Sequence, residues 1–78
     1  LPTVLTIDGY RFKIYINDHT PAHVHVLKAE NEARVTLVTI KIISNIGFNS
    51  RELGKIEMLV EKHQEQLLAI WDTYHESR

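Results

Sequence analysis

Ile7-Asp8-Gly9-Tyr10-Arg11-Phe12-Lys13-Ile14-Tyr15-Ile16 is the stretch that decides the fold. Asp-Gly flanked by alternating residues is a strong hairpin signal, because both central positions of a type I′ turn need positive φ. After the turn, Tyr10, Phe12, Ile14 and Ile16 alternate with Arg11, Lys13 and Tyr15. That period of two is the mark of a half-buried strand. Upstream, Thr3-Val4-Leu5-Thr6-Ile7 is β-branched and apolar, and supplies the partner strand.

Outward from this hairpin, Asn17 to Pro21 is a turn-forming run, and Ala22 to Lys28 is a third strand. Ala22, Val24 and Val26 occupy one face of it, and His23, His25 and Leu27 the other. Ala29-Glu30-Asn31 is a polar turn. A fourth strand follows from Glu32 to Leu37. Residues 38–43 either extend it or form a short fifth strand, and Ser44 to Gly47 closes the sheet region. Asn49 then starts a helix: it is a good N-cap, with Glu52 at capping-box spacing, and Phe48 and Leu53 are placed as a hydrophobic staple. Leu53, Ile56, Val60, His63, Leu67, Ile70 or Trp71, and Tyr74 recur at three- and four-residue steps.

The expected architecture is α+β in one domain of 78 residues. A sheet region spans residues 1–47, and one long amphipathic helix over 48–76 packs on it. About 25 helical residues span roughly 37 Å, whereas a six-residue strand spans about 20 Å. The helix should therefore overhang the sheet and leave Ile70, Trp71 and Tyr74 as a partner-binding patch, unless it crosses the sheet diagonally and buries them.

Composition narrows the function classes. The chain has no cysteine, so no disulfide and no thiolate metal site supplements its thin core. No apolar run is long enough for a membrane helix, and the first residues lack the basic and apolar regions of a signal peptide. A cytoplasmic protein is expected. The net charge of −1 argues against bulk electrostatic capture of nucleic acid. The mild polarity, +1 over residues 1–47 and −2 over 48–78, is ordinary solvated surface.

Titratable groups concentrate in Asn17-Asp18-His19-Thr20-Pro21-Ala22-His23-Val24-His25-Val26, which holds three of the five histidines. On a strand, His23 and His25 project to one side with Cα atoms about 6.5–7 Å apart. Three readings stand side by side. In the first, His23 and His25, with His19 or Asp18 as a third ligand, hold zinc. In the second, no metal is needed: two histidines serve as general base and general acid on RNA, with Arg11, Lys13, Lys28 or Arg34 supporting phosphate and Tyr15 stacking on a base. In the third, the histidines satisfy turns and backbone on a solvent-facing sheet. His63 sits on the apolar stripe and suits a hydrogen-bonded core role. His75 suits a solvated residue at the helix C-terminal dipole.

Pro2-Thr3-Val4, Gly9-Tyr10-Arg11-Phe12, Asn17-Asp18-His19-x-Pro21-x-His23-Val24-His25-Val26, Gly47-Phe48, Arg51-Glu52-Leu53, Glu61-x-His63 and Leu67-Leu68-x-x-Trp71 together resemble a small bacterial family, the domain of unknown function numbered forty-one-sixty. The likeness runs over almost the whole chain, with Ala22 where a second proline is common and Thr6 where a basic residue is common. It implies a toxin-like component of a bacterial type II toxin–antitoxin module, neutralised in a hetero-oligomer by a small antitoxin-like partner. The second of the three readings adds RNA as its target: His23 and His25 are then the acid–base pair of a metal-independent ribonuclease. His19 and Asp18 orient them, Arg11 steadies phosphate, and no cofactor is required. The competing expectations are a non-catalytic binding module (antitoxin or regulator) and a histidine-rich metal-binding domain.

Overall fold

The computed structural model describes residues 3–75. Pro2 of the resemblance and the helix end expected at residue 76 lie outside them. Five strands, β1 (Thr3–Ile7), β2 (Tyr10–Ile14), β3 (His23–Lys28), β4 (Asn31–Thr36) and β5 (Ile42–Ile46), are followed by two helices, α1 (Ser50–Lys62) and α2 (Gln64–His75). The strands form one antiparallel sheet in the order β1-β2-β3-β4-β5, so every strand pairs with its neighbours in sequence.

The first hairpin is as the sequence dictates. Ile7 pairs with Tyr10, and Asp8 and Gly9 turn at φ of 52° and 84°. The second hairpin is tighter than the expected three-residue turn. Lys28 pairs with Asn31, leaving Ala29 and Glu30 between them, with Ala29 held at φ 54°. The segment 38–43 divides between a connection and the start of β5. Ile40 takes φ 55°, and Thr36 fastens the connection by receiving the Lys41 N–H on its hydroxyl at 2.9 Å. Ser44 to Ile46 belong to β5 rather than ending the sheet.

Gly47, at φ 97°, leads out of β5. The Asn45 side chain bridges the backbone N–H and C=O of Phe48, at 3.1 and 3.0 Å. The capping box then forms in full: Asn49 Oδ1 accepts from Glu52 N–H at 2.8 Å, and Glu52 Oε1 from Asn49 N–H at 3.0 Å.

The helical region differs from the single long helix expected. It is interrupted at His63, which caps α1 at φ −110°, ψ 20° and accepts no core role; its Nδ1–H donates to the Leu59 carbonyl at 3.0 Å. Gln64 restarts the helix while its side-chain amide donates to the Leu37 carbonyl at 2.7 Å. The physical reason for the break is therefore tertiary: the polar head of α2 is tethered to the β4–β5 connection. Thirteen residues of α1 span about 20 Å, which matches the length of a strand. The overhang disappears with the break. Leu67 and Trp71 are buried at 1% and 5% exposure, and Ile70 and Tyr74 are half-buried. The premise of an uncovered Ile70–Trp71–Tyr74 patch is thereby corrected.

Tyr10, Phe12 and Ile14 of β2, Val24 and Val26 of β3, and Ala33 and Val35 of β4 form the inner face of the sheet, in one core with Phe48, Ile56, Leu59, Val60, Leu67 and Trp71. Residues directly opposite in an antiparallel pair share a face. Lys13 pairs with His25, and His25 with Arg34, so this row lies on the outer face. Ile16, expected to continue the inner face of β2, is exposed because the strand ends at Ile14.

Candidate metal centre

His23 and His25 sit on the outer face of β3, yet they are not solvent-facing: their exposures are 8% and 6%. Three neighbours cover them. Tyr15 meets the His25 ring edge-on at a centroid distance of 4.9 Å. Trp71 lies 5.5 Å from the His23 ring. The Asn17–Pro21 loop folds over both and brings in Asp18.

The loop is built to aim that carboxylate. Asp18 N–H donates to the Tyr15 carbonyl at 3.1 Å, and Asp18 Oδ2 accepts from Tyr15 N–H at 3.0 Å. With Oδ2 held by backbone, Oδ1 points at the histidines, 3.2 Å from His25 Nε2 and 3.7 Å from His23 Nε2. The far side of each ring is also engaged. His23 Nδ1 lies 2.9 Å from the Pro21 carbonyl, and His25 Nδ1 lies 3.2 Å from Glu32 Oε2. A carbonyl and a carboxylate only accept, so each Nδ1 carries the proton in these bonds. By the same rule His25 Nε2–H donates to Asp18 Oδ1 at 3.2 Å; an ion bound here would take the place of that proton and meet the Nε2 lone pair of each ring.

Ligand atoms of Asp18, His23 and His25 thus lie within 4.8 Å of one another. Tetrahedral zinc with ligands at about 2.0–2.1 Å has ligand–ligand edges of roughly 3.3–3.4 Å. The two edges from Asp18 Oδ1, 3.2 and 3.7 Å, lie on either side of that value, and all three edges are within 4.8 Å. Histidine ligands of metals characteristically donate their other ring N–H to a carboxylate or a backbone carbonyl. Here Glu32 and Pro21 are placed to receive them.

A second layer ties the centre to the C-terminal helix. His75 stacks on Trp71 with centroids 3.9 Å apart and planes 17° apart. Its Nε2 reaches the Asp18 carbonyl at 3.0 Å, and its Nδ1 the Trp71 carbonyl at 2.7 Å. His75 is therefore half-buried and bound to the loop, not the solvated residue expected from its position.

The sequence-derived site residues separate into two groups. Asp18, His23 and His25 come together. His19 is exposed and outside the ligand group, so of the two candidates for a third ligand the geometry selects Asp18. Arg11 is exposed and pairs with Leu27, one step along the sheet from the His25 row, and it does not line the cleft beside His23. Arg34 does. Glu32, Trp71 and His75 are the neighbours that sequence reasoning missed in these positions. Glu32 was within reach: a two-residue turn at Ala29-Glu30 sets the register that puts Glu32 beside His25. No sequence signal locates Trp71 or His75 against the loop.

The model of the Domain of unknown function (DUF4160) family matches residues 9–72, which include the loop, all five of the metal-centre and covering residues from Tyr15 to Trp71, and both helices up to Asp72. The chain belongs to this family. No curated protein and no solved structure matches it. The DUF4160 match contains Asp18, His23 and His25 together with Glu32, whereas His75 lies beyond it. No helix among the described residues is long and apolar enough to cross a membrane.

Proposed function

We propose that this DUF4160 domain is a metal-dependent module in which Asp18, His23 and His25 hold a divalent ion such as zinc and leave a fourth position open. One observation carries the reading. Ligand atoms of Asp18, His23 and His25 lie within 4.8 Å of one another, while each histidine's Nδ1 is held by an acceptor. A cation taking the place of the proton between His25 and Asp18 would engage all three. Three protein ligands with a vacancy for water or substrate is the ligand count of catalytic zinc sites, where bound water ionises near neutral pH. The same geometry favours the metal reading over a free acid–base pair. Each ring has its Nδ1 committed to the fold, and both rings are covered.

The test is metal content of the chain purified without chelator, together with isothermal titration of Zn²⁺ into the stripped protein. About one ion per chain is expected, and at a free concentration of 100 times Kd it adds about 2.7 kcal/mol to stability. His23→Ala and His25→Ala abolish uptake. A folded wild-type chain that takes up no divalent ion sinks the reading and leaves a hydrogen-bonded structural cluster.

The cellular role we attach to the centre is that of the toxin-like component of a bacterial two-protein module, neutralised by a small protein partner. It rests on the sequence resemblance from which that expectation came; the matched family is one of unknown function. Expression of the gene alone arrests growth, and co-expression of its neighbour relieves the arrest. A chain that is harmless alone beside a partner that is toxic alone makes this domain the antitoxin or regulator instead.

A further inference from the structure

The open side of the proposed centre is not bare solvent. A cleft of about 280 Å³ adjoins it, lined by Asn17, Asp18, His19, Thr20, Pro21, His23, Arg34 and Ile43. The amide of Asn17, the ring of His19, the hydroxyl of Thr20 and the guanidinium of Arg34 are all hydrogen-bond donors. Among the described residues, none of these four side chains has a hydrogen-bond or ion-pair partner within the chain. Four uncommitted donors, one of them the cationic Arg34, therefore line the cleft beside the position at which a metal held by Asp18, His23 and His25 would accept a fourth ligand.

Resting on the metal reading above, we propose that this cleft binds the phosphate group of a phosphate-bearing ligand, with one oxygen on the metal and the others on Arg34 and the Asn17–Thr20 loop. Charge selects an anion: a divalent ion and the Arg34 guanidinium outweigh the Asp18 and Glu32 carboxylates. The number and spread of donors selects a tetrahedral oxyanion over a carboxylate. A carboxylate offers two oxygens, which a metal and one arginine already occupy, leaving the loop donors unused. Phosphate offers enough oxygens for all of them, and arginine matches phosphate geometry with a planar fork of parallel N–H donors. The register supports the placement, because Arg34 pairs directly with His25 on the outer face, whereas Arg11 pairs with Leu27 and lies outside the cleft.

The experiment loads the full chain with Co²⁺, follows its visible absorption, and then titrates inorganic phosphate into the loaded protein. Saturable change in the cobalt bands is expected. Arg34→Ala weakens it roughly 10–100-fold, the loss of charge-assisted hydrogen bonds to one anion. Arg11→Ala stays within about twofold of wild type. Acetate binds at least about tenfold more weakly than phosphate. A dinucleotide carrying one internal phosphodiester identifies the source: binding comparable to phosphate makes the ligand a phosphodiester, and failure to bind makes it a phosphate monoester, both in support. Phosphate affinity that is indifferent to Arg34, matched by acetate, or, by isothermal titration, equal in the stripped protein overturns the proposal. Failure to take up Co²⁺ removes the metal reading and this inference together. Uptake with no response to phosphate removes this inference alone.

Discussion

Trp71→Ala tests the arrangement of the C-terminal helix most directly. Trp71 is 5% exposed, packs 5.5 Å from the His23 ring and carries the stacked His75 ring on its other side. A buried tryptophan removes about 150–250 Å² from water. At about 25 cal/mol per Å² this corresponds to roughly 4–6 kcal/mol, and truncations of this kind cost about 3–5 kcal/mol. A chain of 78 residues has a total stability of about 4–12 kcal/mol, so the alanine variant sits near the limit of folding. Trp71→Phe keeps an aromatic face and loses about 1–2 kcal/mol. The assay is urea unfolding followed by far-UV circular dichroism. With a slope of about 1 kcal/mol per molar urea, the midpoint drops by about 3–5 M for alanine and about 1–2 M for phenylalanine. A drop of less than about 0.5 M for both variants would refute the burial argument and restore Trp71 to an exposed partner surface.

Two of the three glycines give further tests. Gly47 has φ 97°, and a Cβ there would run into the Asn31 side chain. Gly47→Ala therefore costs about 1–3 kcal/mol in the same unfolding assay; an unchanged midpoint contradicts the packing of Asn31 against this turn. Gly54 has nothing within 4 Å of the corresponding position and lies inside α1. Gly54→Ala gains about 0.8–1 kcal/mol of stability, and a loss shows that the helix surface is already occupied.

The first hairpin and the capping box were legible because each is set by residues within a few positions. Asp8-Gly9 leaves few options for the backbone, and Asn49 with Glu52 satisfies its own helix end. The inner face was legible for the same reason, from Tyr10, Phe12 and Ile14 and from Val24 and Val26. The helix break was not. His63 and Gln64 carry no glycine or proline signal, and the tether from Gln64 to Leu37 joins residues 27 positions apart. The site divides likewise. Asp18, His23 and His25 could be singled out from spacing. Their burial could not, because Trp71 and His75 arrive from the far end of the chain. Three readings of the histidines were open in the sequence; the ring partners Pro21 and Glu32 were not visible there, because one depends on the fold of the loop and the other on strand register.

The contact between His75 and Asp18 closes a loop of 57 residues. The ligand set itself spans only seven, from Asp18 to His25. Loop-closure entropy grows as (3/2)RT ln n, which separates the two by roughly 2 kcal/mol. Asp18, His23 and His25 can therefore come together on β3 and its preceding loop before the chain has come round to cover them. Assembly of the centre and its sealing are then distinct kinetic events. In hydrogen-exchange labelling during refolding, zinc should protect β3 and β4 amides ahead of those in α2. Simultaneous protection of both would mean that the centre forms only as the domain closes.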